Sequence, residues 1–514
     1  MQSNSISHVL INKKLSVIIY NIALLITILV FIVLIFFGDF LGGLLSPLVL
    51  FVTVLAVFSF YKYGFYGPYY LLFVLIPFSQ SVTILTVAGR PVNMGMHTMV
   101  VGMILIGTII RKSLRFYPLK DVSIKYLIFL GIWTLITILI SSFYSTVSAI
   151  SNSFVTWMRF VQFIPIAYLL VQGVGFTKYF KSFVYLFITL GFVVSIWGIY
   201  ETLNPTEFTL RAFRGAATFT KPLFRELNED ASFSLTNTTG GGDWYMGSAN
   251  YNIAGAFMAV ITLITIPFLS EKKIFNGFPI GKIGIVILVI GIAVTYSRSA
   301  FFAFLLGLLF ISSDRSKKSL ISMLFFFALC GVVFFTFFSD YWLGPMIKEI
   351  FSSLPDAISM ALNYGEYTQD MGFSVNVYGA AMRLVGIREA FVGFIQKPIF
   401  GWGFFSFAAY APNLGTAENF YMQFLCETGL IGFFALFQYF RFIWKKTNIE
   451  FPLGSFPEKY QRGFRSAFIV FLIVNITGTL FYDTRIWGLM LVLSAIQIRF
   501  VLDEQKRIKK DNEI

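Results

Sequence analysis

The sequence predicts an all-α polytopic membrane protein of about fourteen transmembrane helices, with two long external loops that carry short amphipathic helices. Three observations carry that reading. Hydrophobic residues make up 57% of the 514-residue chain and charged residues only 12%, with a mean hydropathy of +0.78, which is more apolar surface than a soluble chain can hide. Apolar runs of roughly 17–23 residues, the length that crosses a bilayer, follow one another along the chain. The lysines and arginines behind the net charge of +14 fall in short loops between those runs. They form the pattern of cytoplasmic loops rather than a basic face for nucleic acid.

In order, the runs cover 16–37, 41–60, 66–87, 95–111, 125–146, 155–173, 181–202, 250–270, 281–296, 299–313, 319–339, 419–441, 464–482 and 486–501. The first has no small-residue cleavage site behind it and reads as a retained signal anchor. Orientation follows from the basic clusters: Lys13 and Lys14, RKSLRFYPLK at 111–120, TKYFK at 177–181, EKK at 271–273, DRSKK at 314–318, RFIWKK at 441–446 and QKRIKK at 505–510. If the spans alternate, every cluster falls on one face, the cytoplasmic one, and both termini lie there. Two long stretches, 203–249 and 340–418, then fall outside, and the second is too long to be a plain connector. With no internal repeat, residues 1–514 read as a single polytopic domain.

Several chemistries are disfavoured at once. The two cysteines, Cys330 and Cys426, sit within apolar runs and offer no disulfide framework. The two histidines, His8 and His97, are too few and too far apart for a zinc motif.

Arginines on the external side run against the charge bias. They are Arg211 and Arg214 in RAFRG, Arg298 in the tight YSRSA turn, Arg383 and Arg388 in AAMRLVGIREAF, Arg159 near the outer end of the sixth span, and Arg485 between the last two. Each could snorkel to headgroups or pair with a nearby acid. Arg298 has no acid within several residues, so its counter-charge must come from elsewhere. A guanidinium is a planar fork of donors suited to phosphate oxygens, so several arginines at one membrane surface suggest a diphosphate ligand. Around Arg383 and Arg388 the pattern is that of an amphipathic helix on the outer surface, with Leu384, Ile387, Phe391, Phe394 and Ile395 on its apolar side. Pro398 stops it, and Gly401 and Gly403 permit a sharp turn. A lid without chemistry is the plainer alternative.

Carboxylates open and interrupt the segment AENFYMQFLCETGLIGF. Asn419, Gln423 and Glu427 recur every four residues, a polar stripe expected to face the bundle interior. Glu427 reads as a structural group bonded to a neighbouring helix. Glu418 lies at the outer mouth, where a carboxylate could act as general base on a hydroxyl or simply complement a helix N-terminus.

Taken in order, RG with GSANYNIAGAF, TYSRSAFFAFLLGLL, RLVGIREAFVGFIQKPIFGWGFFSF and AENFYMQFLCETGLIGF resemble the blocks of the O-antigen ligase and Wzy-type polymerase superfamily. The resemblance covers roughly the C-terminal 60% of the chain, with 250–441 as its catalytic core region. It implies a membrane glycosyltransferase of the GT-C type in the bacterial cytoplasmic membrane, acting on polyprenyl-diphosphate-linked glycan outside it. Neither metal, cofactor nor nucleotide sugar is implied. Carried over, Arg214, Arg298 and Arg383 match the family's arginines, with Arg388 as a further diphosphate contact. Between Arg214 and Ser248 this chain has extra residues. Glu418 stands where the ligases usually carry histidine, a departure that favours the polymerase branch and makes Glu418, Arg298 and Arg383 the candidate catalytic residues. Asn419, Gln423, Glu427 and Arg159 are expected to support them. The implied partners are a lipid-linked donor and acceptor, membrane lipid and a chain-length regulator, without nucleic acid. The ligase remains the nearest rival. A flippase is the rival from another class, although it should carry ionisable residues deep in several spans. Peptidoglycan polymerases of the SEDS type and a plain scaffold are weaker alternatives.

Overall fold

A computed structural model describes residues 67–76, 81–87, 90–110, 121–172, 177–203, 251–269, 280–293, 295, 297–313, 375–412 and 414–512. The spans expected at 16–37, 41–60 and 319–339, the first long loop and residues 340–374 of the second lie outside these. The described elements are helical apart from one ribbon. They run α1 (Gly67–Leu75), β1 (Ser81–Val87), β2 (Arg90–Gly95), α2 (Met96–Ile110), α3 (Val122–Ser141), α4 (Val147–Val161), α5 (Phe163–Gln172), α6 (Thr177–Leu203), α7 (Tyr251–Leu269) and α8 (Ile280–Ala293). Then follow α9 (Arg298–Ser313), α10 (Val375–Gln396), α11 (Phe407–Tyr410), α12 (Phe420–Lys446), α13 (Phe456–Val474), a 3-10 turn (Leu480–Tyr482) and α14 (Thr484–Asn512).

Six stretches among the described residues are long and apolar enough to cross a membrane: Val122–Ser141, Ala149–Gln172, Tyr179–Ile196, Asn252–Leu269, Phe420–Lys446 and Thr484–Asp511. Gly281–Ala293 and Ser299–Ile311 are shorter apolar helices. Such a set is that of a polytopic membrane protein. Exposed apolar residues on α3 (Phe129, Ile132, Ile136, Leu139), α8 (Ile283, Val286, Ile290) and α12 (Leu430, Phe434, Phe437) give these helices the outward faces that lipid requires.

Three elements depart from the sequence reading. The run 66–87 is helical only to Leu75. SVTILTV then pairs antiparallel with RPVNMG, Ser81 opposite Gly95 and Val87 opposite Arg90, with an irregularity between Thr83 and Leu85. Hydropathy alone hid this, because β-branched residues are as apolar as helix formers yet prefer the strand. The thirteenth run, read as 464–482, is helical over Phe456–Val474 instead. Ser455 caps it by accepting from the N–H of Glu458, Pro457 sits in the first turn, and Asn475 ends it. That Ser-x-x-Glu start was legible and outranked by hydropathy. The sixth run begins earlier, at Val147, and breaks at Gln162. Arg159 therefore lies in the last turn of α4, close to the break, and not near an outer helix end.

The helices pack α7 against α13 and α9, α3 against α12, α5 against α14, and α10 against α12. At one end of the bundle Lys446 pairs with Asp121 at 2.8 Å, Gln497 donates to Lys446 O, and Arg499 donates to the carbonyls of Val171 and Gln172. The opposite end holds Glu418 and the 475–483 loop, and the candidate site is built there.

Candidate functional site

Helix α12 is two helices joined at a break. Gly429 has φ 65° and ψ −171°, outside the helical region. A break in an apolar helix frees backbone groups that must find partners where water is scarce. Each does. Cys426 O accepts from Trp402 N at 3.0 Å and Glu427 O from Gly403 N at 2.8 Å. Thr428 O accepts from Trp133 Nε1 at 3.0 Å, and Leu430 N donates to Pro398 O at 2.8 Å. The Pro398-x-x-Gly401-x-Gly403 segment thus lies against the break in α12. Contact this close needs glycine on both sides. A Cβ at Gly429 would lie 2.2 Å from Ile399 O, and one at Gly401 would lie 2.4 Å from Glu427 O.

Helix α10, expected on the outer surface, packs along the first half of α12. Gly386 abuts Ala417 and Gly393 abuts Cys426, so the two run side by side in the same direction. After Pro398 the chain turns and returns through α11 to Glu418, forming a re-entrant unit. Lys397 fastens it to the α3–α4 turn, its Nζ 3.0 Å from the Tyr144 ring centroid and 3.8 Å from that of Trp402.

The polar stripe of α12 faces inward. Glu427 is fully buried and accepts four hydrogen bonds: from Phe405 N at 2.9 Å, Phe407 N at 3.2 Å, Gln423 Nε2 at 3.0 Å and the Tyr482 hydroxyl at 2.6 Å. Gln423 Oε1 accepts from Ala417 N at 3.0 Å. Asn419 caps α12 by accepting from Met422 N and donates to Ile476 O at 2.8 Å. Phe420 N donates to Asn475 O at 3.0 Å. The residues on both sides of Glu418 are therefore fixed, while Glu418 itself is exposed and held at φ 49°, a left-handed conformation rare for a side chain of its size. Its carboxylate accepts from Thr416 Oγ1 at 3.3 Å.

Arg298 is the first residue of α9, and the turn before it is seated on α7. Ser297 Oγ donates to Asn252 Oδ1 at 2.8 Å, and a Cβ at Gly255 would lie 2.6 Å from that of Ser297. Arg383 and Arg388 are both exposed on α10. Five residues apart on a helix, they diverge by about 140°, and Arg388 Nε is 3.8 Å from its neighbour Glu389. Arg214 lies outside the described residues. The four sequence blocks are thus joined two by two: Asn252 with Ser297, and the 398–403 segment with Glu427 and Gly429.

Residues 283–437 match the family model described as O-antigen ligase. That stretch, under a third of the chain, is similar to the O-antigen ligase family. It spans Arg298, the re-entrant unit, Glu418 and the break in α12. The match supports a glycosyltransferase-like reading, and the six apolar helices among the described residues are those of a membrane protein. No curated protein matches the chain.

Four residues outside the matched stretch, Tyr482, Asp483, Arg485 and His97, were not connected with this site by sequence reasoning. Tyr482, Glu427's fourth donor, comes from 55 residues away and bears no local signal. Asp483 and Arg485 form a bidentate pair at 2.9 and 2.8 Å. Burial works to raise the Asp483 carboxyl, but the Arg485 guanidinium, its hydrogen bonds and its backbone N–H hold it below the ordinary carboxylate value. His97, dismissed as a metal ligand, is buried beside Gln162.

Proposed function

We propose that this chain is a polysaccharide polymerase, joining polyprenyl-diphosphate-linked oligosaccharide repeat units on the external face of the cytoplasmic membrane. The observation that carries the reading is Glu418: an exposed carboxylate in a left-handed conformation, between anchored neighbours, where the family's ligases usually carry histidine. Strain of about 1–3 kcal/mol persists only when the surroundings impose it. Here it fixes a base at a mouth formed by the re-entrant unit and the 475–483 loop.

In the proposed reaction the donor's diphosphate is held by Arg214, Arg298 and Arg383, with Arg388 as an outer contact. An acceptor hydroxyl gives its proton to Glu418 and its oxygen attacks the anomeric carbon from the face opposite the diphosphate. The new C–O bond forms as the bond from that carbon to the phosphate oxygen breaks. The lipid diphosphate leaves with its electron pair, stabilised by the guanidiniums, and the anomeric centre inverts. Glu418 then passes its proton to solvent. Arg159 and Glu427 stay out of the chemistry, Glu427 fixing the turn at Phe405–Phe407.

The size distribution of surface and lipid-linked glycan, with and without the protein, tests this. A polymerase leaves single repeat units at the surface when absent. Arg298→Ala should lower the rate about a hundredfold, roughly 3 kcal/mol of lost charge stabilisation, and Glu418→Gln should reproduce the defect. Full-length chains stranded on the carrier would identify a ligase, the activity after which the matching family is described. Units trapped inside would identify a flippase.

A further inference from the structure

Glu418 owes its pose to its neighbours, and the residue before it is gripped at two points. Ala417 is fully buried. Its N–H donates to Gln423 Oε1 at 3.0 Å. The rest of its backbone lies against Gly386 of α10. A Cβ there would come within 2.8 Å of Ala417 O, 2.9 Å of its Cα and 3.0 Å of its carbonyl carbon. Those are the three nearest atoms, so a methyl group at 386 would press first on the residue that precedes Glu418. On the far side Asn419 and Phe420 are tied to Ile476 O and Asn475 O, which leaves the turn at Glu418 no free end.

The grip through Gln423 admits one orientation of its amide. Backbone N–H groups can only donate, and those of Phe405 and Phe407 both donate to Glu427. Glu427 Oε1 is therefore an acceptor, and the Gln423 atom that meets it at 3.0 Å is the donor Nε2. Gln423 Oε1 then faces Ala417 N, itself a donor. A methionine at 423 would satisfy neither end, and a glutamate would set a second carboxylate against Glu427. The grip through Gly386 reaches further. Arg383 stands three residues earlier on α10, about 4.5 Å along the helix axis. The contact of Gly386 with Ala417 thus sets the spacing between the segment bearing Arg383 and the one bearing Glu418.

We infer that Gly386 and Gln423 are positioning residues: together they hold the backbone of Ala417, and with it the left-handed turn that sets Glu418 at a fixed spacing from the helix bearing Arg383. This rests on the polymerase reading, with Glu418 as base, and names what places that base.

The test is the initial rate of chain elongation by the full chain in nanodiscs, with lipid-linked repeat unit extracted from host cells lacking this protein as substrate. Gly386→Ala and Gln423→Met should each lower kcat about tenfold and leave KM within about twofold, because a displaced base costs rate and not ground-state binding. Alanine is the better helix former, so Gly386→Ala keeps α10 intact. Should Gln423→Met fail to fold, Gly386→Ala decides alone. In a Glu418→Gln background, where the residual rate no longer depends on the base, neither substitution should lower the rate further. Equal losses with and without the Glu418 carboxylate would mean that both act through general destabilisation, and would overturn the inference. An unchanged kcat in Gly386→Ala would overturn it too. Unaltered elongation by Glu418→Gln would instead remove Glu418 as the base, and no elongation by the unaltered protein would overturn the polymerase reading; the positioning roles fall with either.

Discussion

The two ends of the bundle solve the same problem in opposite ways. At the end bearing Lys446, regular helices stop at ordinary caps, and polar side chains tie neighbouring helix ends together without breaking any helix. Asp121 caps α3 through Ser123 and meets Lys446, Glu458 meets Arg462, and Gln461 covers the carbonyls of Thr447 and Ile449. At the Glu418 end, a helix breaks in mid-course, non-glycine residues take left-handed conformations at Phe405 and Glu418, and single groups collect several partners. The first arrangement is a set of separable local contacts. In the second, no group can move without uncovering another, which keeps an exposed side chain in a strained pose.

Substitutions can break that contrast. Glu427→Leu should have the largest effect, losing about 3–5 kcal/mol because its four donors are left buried and unmet; thermal unfolding in detergent measures it, and a change under 1 kcal/mol would show the network to be ornamental. Gly429→Ala comes next, at about 3 kcal/mol, from the left-handed backbone and the collision with Ile399 O. Its readout is the yield of monodisperse protein, and normal yield would mean the re-entrant segment can shift. Lys446→Met at the regular end should cost only about 1–2 kcal/mol, since Asp121 keeps its bonds from Ser123. Arg507→Ala, whose partner Glu504 it meets on the surface, should change the same melting curve by less than about 0.5 kcal/mol. If Lys446→Met proved as damaging as Glu427→Leu, the distinction between the ends would fall.

Much of this was legible in the residues. Helix after helix followed from apolar length, and the inward stripe of Asn419, Gln423 and Glu427 followed from a spacing of four. The two glycine-bearing blocks were recognisable as a sharp turn and a helix, but not as partners, because the hydrogen bonds that join them run between backbones and leave no side-chain signature. Position within a helix was read least well. Apolar runs misplaced α13 by about half its length because a Ser-x-x-Glu cap fixes a boundary more firmly than hydropathy does. Hydropathy likewise missed the ribbon at 81–95, where β-branching decided. Of the arginines, Arg383 and Arg388 sit on one helix, as the sequence implied, but their spacing turns them apart. Tyr482 and the His97–Gln162 pair were invisible, being contacts across long stretches of chain.

The bond between Glu427 and Tyr482 also sets an order of events during synthesis. Glu427 leaves the ribosome 55 residues before its hydroxyl partner, a lag of several seconds at ordinary translation rates. By then the re-entrant segment and α3 already exist, so the broken helix can enter the membrane with its backbone covered. Its carboxylate still lacks one of its four donors, the Tyr482 hydroxyl in the last loop. Completion of the last two helices therefore closes the site as well as the bundle, and a chain interrupted before Tyr482 would present membrane quality control with an incompletely paired acid.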